Sequence, residues 1–470
     1  MESDPCLRPA VETLSEIRAG HLSARELMAA HLERISQINP RLNAIVTLEA
    51  DKAMENAAAA DERQARGEDL GPLHGLPIAH KDSFQTRDLR TTFGSKLFAD
   101  FIPNVDSLVV ARAKAAGAIC VGKTNLPEFG AGSHTFNALF GYSRNPYDIS
   151  RTPGGSSGGS AIALATGMTA LADGSDMGGS LRNPAGYCNV VGLRPSIGRV
   201  PQWPSANAFS TLTVAGPMGR TVADTALLLS VQAGADPRDP LSVPGDGALF
   251  RTSLDGDTKG LRIAISPDLG GLPMDPEIRS ITAASAGLFE DLGCVVEEAT
   301  PDLGEANSAF QALRGLAFAT GYGSTLERHR DMLKETVIWN IELGLALTGR
   351  RVAEAEAARL QAFHRMRNFL ETHDFLVAPV SQVPPFPVEE EYVRAIDGTD
   401  METYIDWMKS CYHISITGHP AISVPFAFTA GGLPVGIQIV GKYRDELGLL
   451  KLAQAVESVR QCWKRHPICS

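Results

Sequence analysis

The chain has 470 residues, 44% of them hydrophobic and 21% charged, which is the composition of an ordinary globular protein. Its formal net charge of −11 excludes broad electrostatic attraction to nucleic acid or to an anionic membrane surface. No apolar run reaches the ~18 residues that span a bilayer, the N-terminus Met1-Glu2-Ser3-Asp4 is acidic rather than a basic leader, and the seven scattered cysteines make no CxxC pair.

These features predict a cytoplasmic protein with reduced thiols, no disulfide frame and no zinc site. The eleven histidines show no HExxH spacing, so no metal site is expected. Length alone would allow about three domains at ~150 residues each.

In chain order, the first 66 residues read as helical. Ser23-Ala24-Arg25-Glu26 fits a capping box, followed by Leu27, Met28, Leu32, Ile35 and Ile38 at helical spacing. From Gly71 the texture turns to short apolar runs broken by glycine and proline. The run Leu73 to Lys81 reads as a mostly apolar strand ending in a lysine, Leu108 to Ala116 as a helix, Ala118 to Val121 as a short buried strand, and Ala161 to Thr166 as a helix of small residues. Pro384 to Glu391 reads as a solvated surface loop or chain crossing, Val435 to Val440 as a strand, and Leu449 to Val456 as a covering helix. Strands alternating with helices predict an α/β protein with a mixed or parallel sheet.

Three segments compete for the chemistry. Gly117-Ala118-Ile119-Cys120-Val121-Gly122-Lys123-Thr124 satisfies the phosphate-loop pattern GxxxxGK[ST]. That motif needs a strand before the first glycine and a helix after the lysine. Here a helix precedes, the middle residues are strand-like, and Asn125-Leu126-Pro127 follows, so the segment reads as a strand ending in a turn. Gly155-Ser156-Ser157-Gly158-Gly159 matches GxSxG with Ser157 as nucleophile, but the preceding Asn145 to Pro153 is polar and proline-broken where a nucleophile elbow needs an apolar strand.

The third candidate joins Lys81, Ser156 and Ser180. The serines lie in two glycine-flanked turns 24 residues apart, Gly154-Gly155-Ser156-Ser157-Gly158-Gly159-Ser160 and Asp176-Met177-Gly178-Gly179-Ser180. Such turns crowd backbone N–H groups and a hydroxyl around one small volume, suited to a phosphate or an oxyanion. Burial of Lys81 would favour its neutral amine, which can serve as base to a serine. Taken alone, Lys81 reads more readily as a buried ion pair with Asp82, and each serine as an ordinary turn residue.

Taken together, these segments resemble the amidase signature family. The likeness is carried by Gly75-Leu76-Pro77-Ile78-Ala79-His80-Lys81-Asp82, Thr91-Thr92-Phe93-Gly94-Ser95, Gly122 to Phe129, the two serine turns extended to Leu181-Arg182-Asn183-Pro184-Ala185, Gly216 to Asp224, and Gly418-His419-Pro420-Ala421-Ile422-Ser423-Val424-Pro425. It runs from about residue 10 to the C-terminal helix.

The resemblance implies a single α/β domain over 1–470, a large mixed β-sheet surrounded by helices, which sets aside the three-domain estimate. Within it, 1–66 would be a helical N-terminal segment, 71–200 the signature core and 200–410 a variable substrate-shaping region. The resemblance also implies a hydrolase that cleaves the C–N bond of linear amides through a Ser–cis-Ser–Lys triad. Here that triad is Ser180 as nucleophile, Ser156 as relay after a cis bond from Gly155, and Lys81 as base. The amides of Met177, Gly178, Gly179 and Ser180 would form the oxyanion hole, with Ser157, Asp176 and Arg182 in support. Ser175-Asp176 stands where Thr-Asp is usual, and Met177 where a small or branched residue is frequent.

No cofactor is implied. The partners expected are a small-molecule amide and no nucleic acid or membrane, with a homodimer left open. Family members divide between free-standing amidases, including aryl acylamidases and carbamate-cleaving urethanases, and the glutaminase subunit of glutamyl-tRNA amidotransferase. The aromatics Tyr404, Trp407, Tyr412, Trp339 and Phe386 favour a hydrophobic substrate and the first group, with Tyr404, Trp407 and Trp339 as expected substrate-binding residues.

Overall fold

Eleven strands form one mixed sheet in the computed structural model, which describes residues 4–467. In chain order they are β1 (Ile45–Leu48), β2 (Pro77–Lys81), β3 (Ile119–Thr124), β4 (Leu171–Asp176), β5 (Val191–Arg194), β6 (Val214–Gly219), β7 (Arg262–Ile265), β8 (Val295–Glu298), β9 (Phe375–Pro379), β10 (Ala421–Phe428) and β11 (Pro434–Val440). Their spatial order is β1-β3-β2-β4-β6-β5-β10-β11-β9-β7-β8. The triplets β3-β2-β4 and β9-β7-β8 are parallel and the remaining pairings antiparallel. Thirteen α-helices surround this sheet among the described residues, and the whole is one domain.

Local chemistry explains the elements that position the site. The helix Ala24–Leu42 starts at the capping box read from the sequence: the Glu26 amide donates to Ser23 Oγ at 3.1 Å and the Ser23 amide to Glu26 Oε2 at 3.0 Å. The helix Gly158–Ala165 is buried on every side. Its glycines allow this: a Cβ on Gly159 would stand 2.4 Å from the Asn125 amide nitrogen, so the helix could not approach the loop after β3 with any larger residue there.

Two expectations need correction. The N-terminal stretch is not helix throughout, because Ile45–Leu48 pairs antiparallel with β3 as an edge strand. Four residues are too few to show a period, and pairing with β3 settles their conformation. The Pro384–Glu391 segment crosses the chain as expected, but only its Glu389–Glu390 end is solvent-exposed. Phe386 packs edge-on against Trp407 at 5.1 Å, and Val388 is fully buried with its carbonyl accepting from His134 Nε2 at 2.8 Å. The phosphate-loop look-alike is strand β3 through Thr124. The Lys123 amine donates to the Phe84 carbonyl and to Thr86 Oγ1, the latter at 2.8 Å, which clasps the loop after β2.

Candidate active site

Lys81 closes β2 and is completely buried. Its backbone is fixed from β4, where Asp173 Oδ1 accepts the Lys81 amide at 2.9 Å and Asp173 Oδ2 holds His80 Nδ1 at 2.6 Å. The lysine amine donates to Ser156 Oγ at 2.7 Å and to Ser175 Oγ at 3.1 Å, both neutral. It has no ion pair with Asp82, whose carboxylate instead receives the Thr92 amide and hydroxyl. Burial lowers the Lys81 pKa to about 7, against the opposing pull of Asp176 and Asp173. A lysine so placed is substantially neutral near physiological pH and can accept a proton.

Ser156 follows a cis peptide bond from Gly155 and is 2% exposed. Its turn is pinned on both sides: the Gly155 amide donates to Asn183 Oδ1 at 3.2 Å, and the Gly154 carbonyl accepts from Thr135 Oγ1 at 2.8 Å.

Ser180 ends the turn after β4 and is 8% exposed. That turn is tied down by the side chain of Asp176, the last residue of β4. Its carboxylate accepts the amides of Gly179 (2.8 Å) and Leu181 (3.2 Å) and bridges Arg182 Nε and Arg194 Nη1, each at 3.1 Å. Burial opposes ionisation of Asp176, but the two guanidiniums and the amide bonds outweigh it and hold its carboxyl well below the usual range. Gly179 has φ 118°, and a Cβ there would sit 2.5 Å from Cys411 Cβ, so both backbone conformation and space demand glycine.

The two serine turns meet directly, with the Ser157 amide donating to the Ser180 carbonyl at 3.2 Å. No protein group among the described residues hydrogen-bonds Ser180 Oγ, whereas Ser156 Oγ is engaged by Lys81. The turn thus presents one free hydroxyl beside a second hydroxyl already held by the Lys81 amine.

Several sequence-predicted residues sit differently from expectation. The Gly179 amide is committed to Asp176, leaving Met177, Gly178 and Ser180 to offer amides from this turn. Ser157 Oγ is buried without a hydrogen-bond partner among the described residues, and it is the Ser157 backbone N–H that contacts the Ser180 turn. Trp407 is 1% exposed, its indole donating to the Tyr404 carbonyl at 3.1 Å, so it is a core residue that offers a substrate no surface. Trp339 is partly buried, edge-on to Tyr404 at 5.6 Å. The Tyr412 ring stacks on Phe310 at 4.3 Å.

A cavity of about 300 Å³ opens beside Ser175 and Met177, walled by Phe129, Trp203, Phe318 and Tyr322. Phe129 and Tyr322 form its aromatic wall with ring centroids 4.3 Å apart. The sequence reading missed Phe318 and Tyr322, because their approach to the site depends on how the helix Ala306–His329 docks. Ser175 carried a signal, since it directly precedes Asp176 where Thr is usual. No group of three or more His, Cys, Asp or Glu side chains among the described residues could hold a metal ion. Among them, too, no helix is long and apolar enough to cross a membrane.

Residues 26–450 match the Amidase family. The acylamidase of Rhodococcus erythropolis is 37% identical over 461 residues, covering 97% of this chain and 96% of that one. A glutamyl-tRNA(Gln) amidotransferase subunit of Synechococcus sp. (strain CC9605) is 36% identical over 475 residues, covering 96% of each. A solved bacterial aryl acylamidase of the amidase signature enzymes matches with a TM-score of 0.91 at 28% identity, covering 97% of this chain and 98% of that one. Agreement in sequence and in overall fold over nearly the whole length leads to one conclusion: the chain belongs to the amidase signature family and is an enzyme acting on carbon–nitrogen bonds.

Proposed function

We propose that the protein is a free-standing amidase that hydrolyses small linear amides through an acyl-enzyme. The observation that carries this reading is the buried Lys81 amine, without a carboxylate partner, hydrogen-bonded to Ser156 Oγ at 2.7 Å next to the free hydroxyl of Ser180. Ser180 attacks the carbonyl carbon, and its proton passes through Ser156 Oγ to Lys81 Nζ. The Ser156–Ser180 contact this requires is one that tightens when substrate fills the site.

The oxyanion faces the amides of Met177, Gly178 and Ser180. Losing one donor of this kind typically slows reaction by about 100- to 1000-fold. Collapse of the tetrahedral intermediate returns the proton along the same path to the departing amine. Water then attacks the acyl-enzyme with Lys81 again taking the proton, and Ser180 is regenerated. Asp176 acts on this chemistry only indirectly, by fixing the turn that carries the nucleophile.

The aromatic wall of Phe129, Phe318 and Tyr322 suits an apolar portion of the substrate, including an aryl amide or carbamate. The second reading, a glutaminase that works within an amidotransferase, is favoured by the 36% identity to the Synechococcus protein.

The deciding assay is nitroaniline release from a panel of 4-nitroanilides by the wild type and by Ser180→Ala. Turnover abolished by the substitution supports the free-standing amidase. Inactivity on the whole panel, together with ammonia release from glutamine, would replace it with the glutaminase.

A further inference from the structure

The helix Ala306–His329 places a charge beside the site that the proposed chemistry does not use. Arg314 is 3% exposed, and its guanidinium meets only neutral acceptors. Nε donates to Asn340 Oδ1 at 2.8 Å, Nη2 to the Tyr404 hydroxyl at 2.8 Å, and the nearest acceptor to Nη1 is the thioether of Met177 at 3.3 Å. The other arginines buried at this site each reach an anion, since Arg182 and Arg194 share Asp176. No carboxylate among the described residues pairs with Arg314. A buried cation without an anion is costly to maintain, and a thioether is a weak acceptor for one of its donors.

Tyr404 adds a second incomplete donor. Its hydroxyl oxygen accepts from both Arg314 Nη2 and Asn340 Nδ2, the latter at 2.5 Å, so its acceptor capacity is filled. Its own O–H proton has no protein acceptor among the described residues. Arg314 and Tyr404 therefore present two adjacent donors, each more than nine-tenths buried, the first matched only by a thioether and the second by no protein acceptor among the described residues.

Their position ties them to the substrate. Met177 is the first residue of the nucleophile turn and lines the cavity, as does Phe318, whose ring lies 4.8 Å from the Arg314 guanidinium. The flexible Met177 side chain both contacts Nη1 and lines that space, and methionine readily changes rotamer. Resting on the amidase reading above, we propose that the substrate carries a carboxylate, bound by Arg314 Nη1 and the Tyr404 hydroxyl once the Met177 thioether swings aside. A planar guanidinium with a neighbouring hydroxyl matches the geometry of two carboxylate oxygens. Arg314 is then a specificity-determining residue, and the apolar wall holds the rest of the molecule.

The test uses two substrate pairs matched in size and differing in one charge. 4-Methylpentanoyl and succinyl 4-nitroanilide place the carboxylate on the acyl side; 4-isopropylacetanilide and 4-acetamidobenzoate place it on the amine side. In at least one pair the charged member should have the higher kcat/KM by about tenfold or more. Arg314→Met should lower kcat/KM for that member about 30-fold more than for its neutral counterpart, the scale of one charge-assisted hydrogen bond. Tyr404→Phe should act in the same direction more weakly, and Arg314→Lys should restore part of the preference.

Calorimetric titration of Ser180→Ala with both members of each pair, with and without Arg314→Met, reads the same contact without turnover. Wild-type preference for the neutral member of both pairs, or an equal loss on both members in Arg314→Met, overturns the proposal and assigns Arg314 a structural role over Phe318. Hydrolysis of neutral anilides with no charge preference would defeat this inference and leave the amidase reading standing. Arg314-dependent carboxylate binding without any anilide hydrolysis would do the reverse.

Discussion

Replacing Lys81 by methionine, of similar length and suited to a dry site, removes the proposed base with little disturbance of packing. With its pKa lowered to about 7, Lys81 is neutral in roughly nine molecules of ten at pH ~8, whereas a lysine at the ordinary 10.5 would be neutral in roughly 0.3%. Burial therefore raises the neutral fraction about 300-fold, and a well-placed base contributes about 10²–10⁴ in rate. On that basis Lys81→Met should lower kcat for nitroanilide hydrolysis about 1000-fold.

The wild-type pH profile supplies the sign. The base must be neutral, so activity is present above about pH 7 and falls about tenfold per unit below it as Lys81 takes a proton. This limb should vanish in the variant. A variant that keeps a tenth or more of the wild-type rate, or whose residual activity still titrates near pH 7, would show that another group takes the proton.

Asp176→Asn keeps the shape of the carboxylate but leaves Arg182 and Arg194 buried without their shared anion. Breaking a buried pair of this kind costs about 3–5 kcal/mol, to be read as a lowered urea midpoint at neutral pH. Because the Asp176 carboxyl is held below its ordinary range, its contribution is complete above about pH 4 and is lost only in stronger acid, so the difference persists across the neutral range. Trp407→Phe removes the indole bond to the Tyr404 carbonyl and opens a small cavity in the core. Stability should fall by about 2 kcal/mol while KM for neutral anilides changes less than about threefold, and a large rise in KM at unchanged stability would return Trp407 to the substrate pocket.

What could be read in advance and what could not divide along a physical line. The chain by itself determined the features that depend on local chemistry: the capping box at Ser23, the strand that buries Lys81, and the two glycine turns that present Ser156 and Ser180. It also excluded the phosphate loop at Gly117 to Thr124, because a helix stood where a strand was required. The family resemblance supplied the triad roles, which periodicity could not.

Tertiary structure alone decided which groups meet across long separations. Asp176 takes up the Gly179 amide, Trp407 turns into the core, and Arg314 reaches Met177 across 137 residues of sequence to stand beside the turn that carries Ser180 without an anion. Local backbone preference and hydrophobic period act over a few residues, so they place a side chain on an element. The partner of a buried donor is set by how distant elements dock, and in this enzyme that docking leaves Arg314 and Tyr404 incompletely matched.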